Sequence, residues 1–199
     1  MPLGDRPPEP LAPHEVRQLL EACGGGSVTA IRNHALLVVF WRSGLRCAEA
    51  LALRVSDVDF RAGTIRVLRG KGRRARTVGI DDTALAVLSV WVETRTAAGI
   101  GPAGPLFCTV RKDRPGEPMN PRYVRALVTR LGHAAGIQHR VHPHGLRHTM
   151  AVELVQEGVP VTKISRQLGH SSVATTAVYI DHLHPADVIE MARARTWAS

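Results

Sequence analysis

The chain has 199 residues, enough for one well-buried domain with at most a small appendage. Apolar residues make up 44% and charged residues 22%, which excludes a disordered chain, and no apolar run nears the ~20 residues that a bilayer-spanning helix needs. Twenty-six basic against 17 acidic residues leave +9, an excess that suits a polyanionic partner because each neutralised phosphate releases counterions.

Met1 to Pro10 lacks the apolar core of a signal peptide, and Cys23, Cys47 and Cys108 stand far apart with no CxxC pair. That spacing argues against a disulfide framework and a zinc site, so a reducing cytoplasm is expected. Residues 1–11 read as a proline-rich linker or tail. PHEVRQLLEAC then places Val16, Leu19, Leu20 and Cys23 on one helical face, closed by Gly24, Gly25 and Gly26. Ser27 caps a second helix carrying Ile31, Leu36, Val39 and Phe40, which stops at Gly44. A short helix from Cys47 to Leu53 follows.

The period then changes from helical to alternating. Val58 and Phe60, the turn at Ala62 and Gly63, then Ile65 and Val67, then Thr77, Val78 and Ile80 predict a three-stranded antiparallel meander. Its second turn, RGKGRRAR, is strongly cationic. Helical pattern resumes at Asp82 with Leu85, Val87, Leu88 and Val92. Ile100 to Pro118 reads as an irregular, glycine- and proline-rich stretch with one apolar patch at Leu106 and Phe107. Asn120 and Pro121 are an N-cap and first-turn pair, opening a helix with Val124, Leu127, Val128 and Leu131 that ends near Gly132. Further helices are expected over His144 to Glu157, Thr162 to Leu168, Val173 to Ile180 and Ala186 to Ala194. The fold class is α+β, mostly helical, with one small three-stranded antiparallel sheet. Trp41, Trp91 and Tyr123 are expected to pack in the core.

The chemistry-bearing residues stand in a fixed order. Arg46 lies in SGLRCAEAL, Lys71 in RGKGRRAR, His144 and Arg147 in HGLRH, His170 in LGHSS, and Tyr179 in TTAVYID. Two guanidiniums, an ammonium, two imidazoles and a phenol suit attack on a phosphodiester without metal or cofactor. The phenol can be the nucleophile, and the cations can neutralise charge on the phosphoryl oxygens. Glu49, three residues beyond Arg46, is placed to orient it. Arg73, Arg74 and Arg76 suit phosphate contact, because charge without base-edge geometry does not read sequence. His142, His144 and His148 lack the carboxylate or cysteine cluster that a metal site needs. His139, His182 and His184 are expected at the surface.

These motifs resemble the tyrosine recombinases, or phage-integrase family. The resemblance rests on Gly44, Leu45, Arg46 and Glu49 as GLRxxE, Gly70, Lys71 and Gly72 as GKG, and His144 and Arg147 as HxxR. It is completed by Leu168 to Ser172 as LGHSS, and by Tyr179 nine positions beyond His170. The resemblance implies a catalytic domain over residues 12–199, and the chain is expected to depart from a typical member in lacking the N-terminal core-binding domain. It further implies site-specific breakage and rejoining of double-stranded DNA through a 3′-phosphotyrosine, for integration, excision or inversion. A monomer that becomes a tetramer on DNA is expected, with accessory DNA-bending proteins as possible partners, no membrane partner, and a nucleoid location when DNA-bound. A type IB topoisomerase-like nicking-closing enzyme and a catalytically silent DNA-binding regulator are the alternatives.

Overall fold

The computed structural model describes residues 9–68, 75–170, 174–177 and 193. Helix α1 (Pro13–Glu21) leads into α2 (Val28–Ser43), α3 (Cys47–Ala52) and a 3-10 turn (Val55–Asp57). The meander follows as β1 (Val58–Asp59), β2 (Thr64–Val67) and β3 (Arg76–Gly79), antiparallel in the order β1-β2-β3. Then come α4 (Asp82–Ala97), a hairpin of β4 (Cys108–Arg111) and β5 (Arg114–Pro118), α5 (Pro121–Ala134), α6 (Pro143–Gln156), α7 (Val161–Leu168) and α8 (Ala174–Ala177). The predicted fold class holds.

Helix α2 is the central rod, packed against α4 on one side and α6 on another. Its ends follow from local chemistry. The Ser27 hydroxyl accepts from the Ala30 N–H at 3.2 Å, and Gly44 takes the left-handed conformation, φ +63°, that ends the helix. A side chain at residue 44 would also drive a Cβ to 2.7 Å from both Leu168 and Met150, so this turn requires glycine. The main core joins Leu36, Val39 and Phe40 of α2 to Leu88 and Trp91 of α4, Val124 and Val128 of α5, and Ile65 and Val78 of the sheet. Leu11, expected in the linker, is buried, and its N–H donates to the Thr149 hydroxyl of α6 at 2.9 Å. A second cluster, Met150, Ala151, Val152, Val155, Ile164 and Leu168, fastens α7 to α6.

Several expectations change. The stretch from Ile100 to Pro118 is not wholly irregular, because β4 and β5 form a second sheet in register Val110↔Pro115 and Arg111↔Arg114. Pro115, Gly116 and Pro118 mask the strand pattern, and proline is tolerated on such an edge. Phe60 lies in the turn after β1 and is exposed, since Asp59 accepts from the N–H groups of Arg61 and Ala62 and bends the chain there. Tyr123 is 44% exposed, one position off the stripe of Val124, Leu127, Val128 and Leu131 that turns α5 inward. Helix α5 runs to Ala134, two residues past Gly132. Trp91 is buried as expected, its indole N–H donating to the Leu106 carbonyl at 3.0 Å. Trp41 is only half-buried, with its indole N–H on the Glu153 carboxylate. His139 is half-buried beside Glu15, at 3.2 Å. The last two expected helices lie largely outside the described residues. No helix of the described residues is long and apolar enough to cross a membrane.

Candidate active site

Four of the six expected catalytic positions fall within the described residues, and the fold brings them to one place where α3, α6 and the end of α7 meet β3. Lys71 and Tyr179 lie outside the described residues, as do Arg73 and Arg74.

Arg46 is the N-cap of α3, and the helix makes Glu49 its neighbour one turn on. One Glu49 oxygen accepts from the Arg46 backbone N–H at 2.9 Å, and the other from Arg46 Nη1 at 3.0 Å. Glu49 thus binds both the backbone and the side chain of Arg46. It also does something the sequence concealed. Arg76, at the start of β3, places Nη1 and Nη2 on the same two oxygens at 2.8 and 2.9 Å, a bidentate pair. Arg76 is thus turned inward and locked against a buried carboxylate, unlike a solvated turn cation. Gly169, at φ +65°, lets its guanidinium pass, because a Cβ there would stand 2.6 Å from Arg76 Nε.

Burial alone would raise the Glu49 carboxyl. The hydrogen bonds from Arg76 and from the Arg46 N–H, with the charges of both arginines, instead bring it down to about 2. A carboxyl depressed in the fold adds stability that is present above its unfolded pKa and is lost as pH falls through the folded one. From an unfolded value near ~4.3, the contribution at neutral pH is about 3 kcal/mol. Glu49→Gln should therefore destabilise the chain at pH 7, with the gap to wild type closing as pH drops from about 4.5 toward 2. Denaturant unfolding across that range measures the gap, and one that stays constant with pH would contradict the assignment.

Arg147 sits on α6 and is 1% exposed. Its Nη1 donates to the Gly44 carbonyl at 2.5 Å and its Nη2 to the Leu168 carbonyl at 2.6 Å. The same Nη2 lies 2.9 Å from His170 Nε2. Arg46 Nη2 meanwhile reaches the next carbonyl, Gly169, at 3.4 Å. Two guanidiniums therefore converge on successive carbonyls at the end of α7. Burial first, then the charges of Arg147, Arg46, His144 and Arg76, pull His170 down to about 4, so its imidazole is neutral at pH 7. The ring of His144 is more open, yet partial desolvation and the charges of Arg147, His142 and Arg46 also hold it below the usual histidine range. His142 caps α6, its Nδ1 accepting from the Gly145 N–H at 3.1 Å, and His148 is buried. Among the described residues no group of three or more His, Cys, Asp or Glu could hold a metal.

The exposed face of α5 adds residues that sequence reasoning passed over. Arg122, Arg125 and Arg130 all project to solvent, and Arg125 lies close enough to Cys47, next to Arg46, for its charge to act on that thiol. The available signal was three arginines spaced off an apolar stripe.

This architecture is shared. A tyrosine recombinase XerC from Azotobacter vinelandii is 35% identical over 198 residues, covering 98% of this chain and 64% of that protein. The crystal structure of the XerA recombinase superposes with a TM-score of 0.79 at 30% identity, covering 96% of this chain and 67% of that one. The XerH site-specific recombinase, bound to a palindromic difH substrate in a post-cleavage complex, superposes at 0.76 with 25% identity, covering 98% and 55%. The chain spans under two thirds of the length of the curated relatives it matches. The phage integrase family matches residues 9–185, through the helices and sheet that carry Arg46, Glu49, Arg147 and His170, and this chain belongs to that family.

Proposed function

We propose that this chain is the catalytic unit of a site-specific recombinase that breaks and rejoins double-stranded DNA. The observation that carries the proposal is the pairing of Arg147 and Arg46 over the successive carbonyls of Leu168 and Gly169, with neutral His170 and His144 beside them. Two fixed guanidiniums suit the non-bridging oxygens of one phosphodiester, and arginine stays charged at any working pH. Both relatives compared in solved form are recombinases, one of them bound to DNA, which favours strand exchange over nicking and closing.

The chemistry follows from residue type. The Tyr179 phenolic oxygen attacks phosphorus, forming a P–O bond to tyrosine as the P–O5′ bond breaks. The phenolic proton passes to His144, whose neutral imidazole can accept it, and Lys71 supplies a proton to the leaving 5′-oxygen. A second 5′-hydroxyl then attacks the phosphotyrosine and reverses the charge flow, so bond energy is conserved and no nucleotide cofactor is called for. Arg73 and Arg74 with Arg122, Arg125 and Arg130 of α5 contact the DNA backbone. Arg76 holds Glu49 in place. The protein is a monomer that assembles into a tetramer on DNA.

The test uses a pool of nicked suicide duplexes with randomised arms, from which covalent complexes are recovered in SDS. An adduct should form in EDTA, because transition-state charge is assigned to side chains. Binding should fall with salt at about −0.9 log units per phosphate neutralised. No adduct across the pool, or one that requires added magnesium, would overturn the proposal.

A further inference from the structure

Strand β3 is the outer strand of its sheet, paired with β2 from Thr64↔Gly79 to Val67↔Arg76. On its other side the side-chain amide of Gln167, from α7, takes the place of a neighbouring strand. Gln167 Oε1 accepts from the Gly79 N–H at 3.0 Å, and Nε2 donates to the Gly79 carbonyl at 2.8 Å. The same Nε2 reaches the Ser43 carbonyl at the end of α2, at 3.4 Å. A primary amide carries an acceptor and two donors in one plane, so it matches a peptide group point for point. At the other end of β3, Arg76 is held by the Glu49 carboxylate. The inner face of the sheet packs in the core through Ile65, Val67 and Val78, and apolar packing is non-directional. Packing keeps the sheet on the core, while the directional bonds at Gly79 and Arg76 stop it sliding there.

We propose that Gln167 is a positioning residue, which clamps the outer edge of β3 and thereby governs proton delivery by Lys71 to the leaving 5′-oxygen. The last paired couple, Val67 and Arg76, encloses residues 68–75, and Lys71 stands five positions before Arg76. Two anchors along β3 fix its direction. With Arg76 alone the strand can swing, and the swing is magnified toward Lys71. A general acid must come within about 2.6–3.2 Å of the atom it protonates, so a displacement of ~1 Å is costly. Arg46 on α3 and Arg147 on α6 lie outside the sheet, so the effect falls on the leaving group and not on the hold over the phosphoryl oxygens. This proposal rests on the proton-donor part given to Lys71 above.

The test replaces the bridging 5′-oxygen of the nicked duplex pool with sulfur. A thiol has a pKa near ~8.5, far below that of an alcohol, so the 5′-sulfur leaves as thiolate when the P–S bond breaks and needs no proton. Gln167→Met keeps the length of the side chain and loses both bonds to Gly79. The cleft beside it, lined by Ile80, Met150, Leu154 and Ile164, accepts an apolar chain. Single-turnover adduct formation is followed against DNA concentration for the full-length wild type, Gln167→Met and Lys71→Ala. On the oxygen substrate Gln167→Met should lose about 10- to 100-fold at saturating DNA, with half-saturation unchanged, and Lys71→Ala about 10²–10⁴-fold. On the sulfur substrate both should come within about 3-fold of wild type. Hydrogen exchange at the Gly79 amide should meanwhile quicken by about 10-fold or more in Gln167→Met. Equal losses on oxygen and sulfur in Gln167→Met, beside a rescued Lys71→Ala, would show a general disturbance of the site and overturn the proposal. A wild-type rate on oxygen, or an unchanged Gly79 exchange rate, would overturn it too. If sulfur fails to rescue Lys71→Ala, the proton-donor assignment falls, and the proposal with it. No wild-type adduct on either substrate would overturn the functional reading and the catalytic part of Gln167 together, and the exchange rate alone then decides the clamp.

Discussion

Tyr179→Phe should abolish the SDS-stable protein–DNA adduct while leaving DNA affinity within about 2-fold of wild type. The substitution removes one oxygen, the atom that would bond to phosphorus, and leaves the ring. With an ordinary phenol pKa near ~10, only about one molecule in a thousand is ionised at pH 7. The reaction therefore depends on a base and on cations that lower the barrier, and water cannot stand in as a covalent link. The chain has one other tyrosine, Tyr123, and the structure makes it a more serious rival than the sequence did, because it is exposed on α5. Its hydroxyl, however, is close enough to the buried guanidinium of Arg32 on α2 to favour that arginine's charged form. Tyr123→Phe should therefore cleave normally. Peptide mapping of the adduct after nuclease digestion distinguishes the two positions, and an adduct that survives in Tyr179→Phe would remove Tyr179 from the mechanism.

The parts of this protein that were legible in the sequence are those written in local periods and short motifs. Ser27 and Gly44 bracket α2 because capping and the left-handed stop act within a few residues. The apolar stripe of α5 and the alternation of Ile65 and Val67 are likewise local. The order of Arg46, His144, Arg147 and His170 in short motifs marks candidate positions that the fold brings close to one another. What stayed hidden depends on contacts between distant segments. Nothing near residue 76 indicates that its guanidinium will meet Glu49, 27 positions earlier, so it read as one more basic residue of a turn. Two of the partners of Arg147 are backbone carbonyls, at Gly44 and Leu168, which carry no side-chain signature at all. Helix α5 was found by its buried face, and its exposed arginines and Tyr123 were passed over because the same pattern describes any solvated face. In the β4–β5 hairpin, proline and glycine broke the alternation that strand reading relies on.

Arg147→Lys should cost both stability and catalysis, whereas Arg46→Lys should cost mainly catalysis. Arg147 is 1% exposed and ties the end of α2 to the end of α7 by donating to the Gly44 and Leu168 carbonyls at once. A lysine ammonium is a compact charge without the planar fork, so it cannot span both carbonyls and His170 together. Each buried acceptor left unpaired costs roughly 1–3 kcal/mol, a sizeable part of the 5–15 kcal/mol that holds a typical domain. Loss of a transition-state donor typically slows a reaction by about 10²–10³-fold. Arg46 has a side chain one-third exposed and pairs with a carboxylate that Arg76 already holds. A lysine there can still reach Glu49, so the folded state should lose no more than about 1 kcal/mol, the scale of a part-exposed ion pair. Its bidentate hold on the phosphate is lost all the same, and the cleavage rate should fall by a comparable ~10²-fold or more. Denaturant midpoints set beside single-turnover adduct formation resolve the two effects. Wild-type stability in Arg147→Lys would show that its internal hydrogen bonds do not brace the fold. A wild-type rate in either variant would show that the paired guanidiniums do not bear on the phosphoryl oxygens.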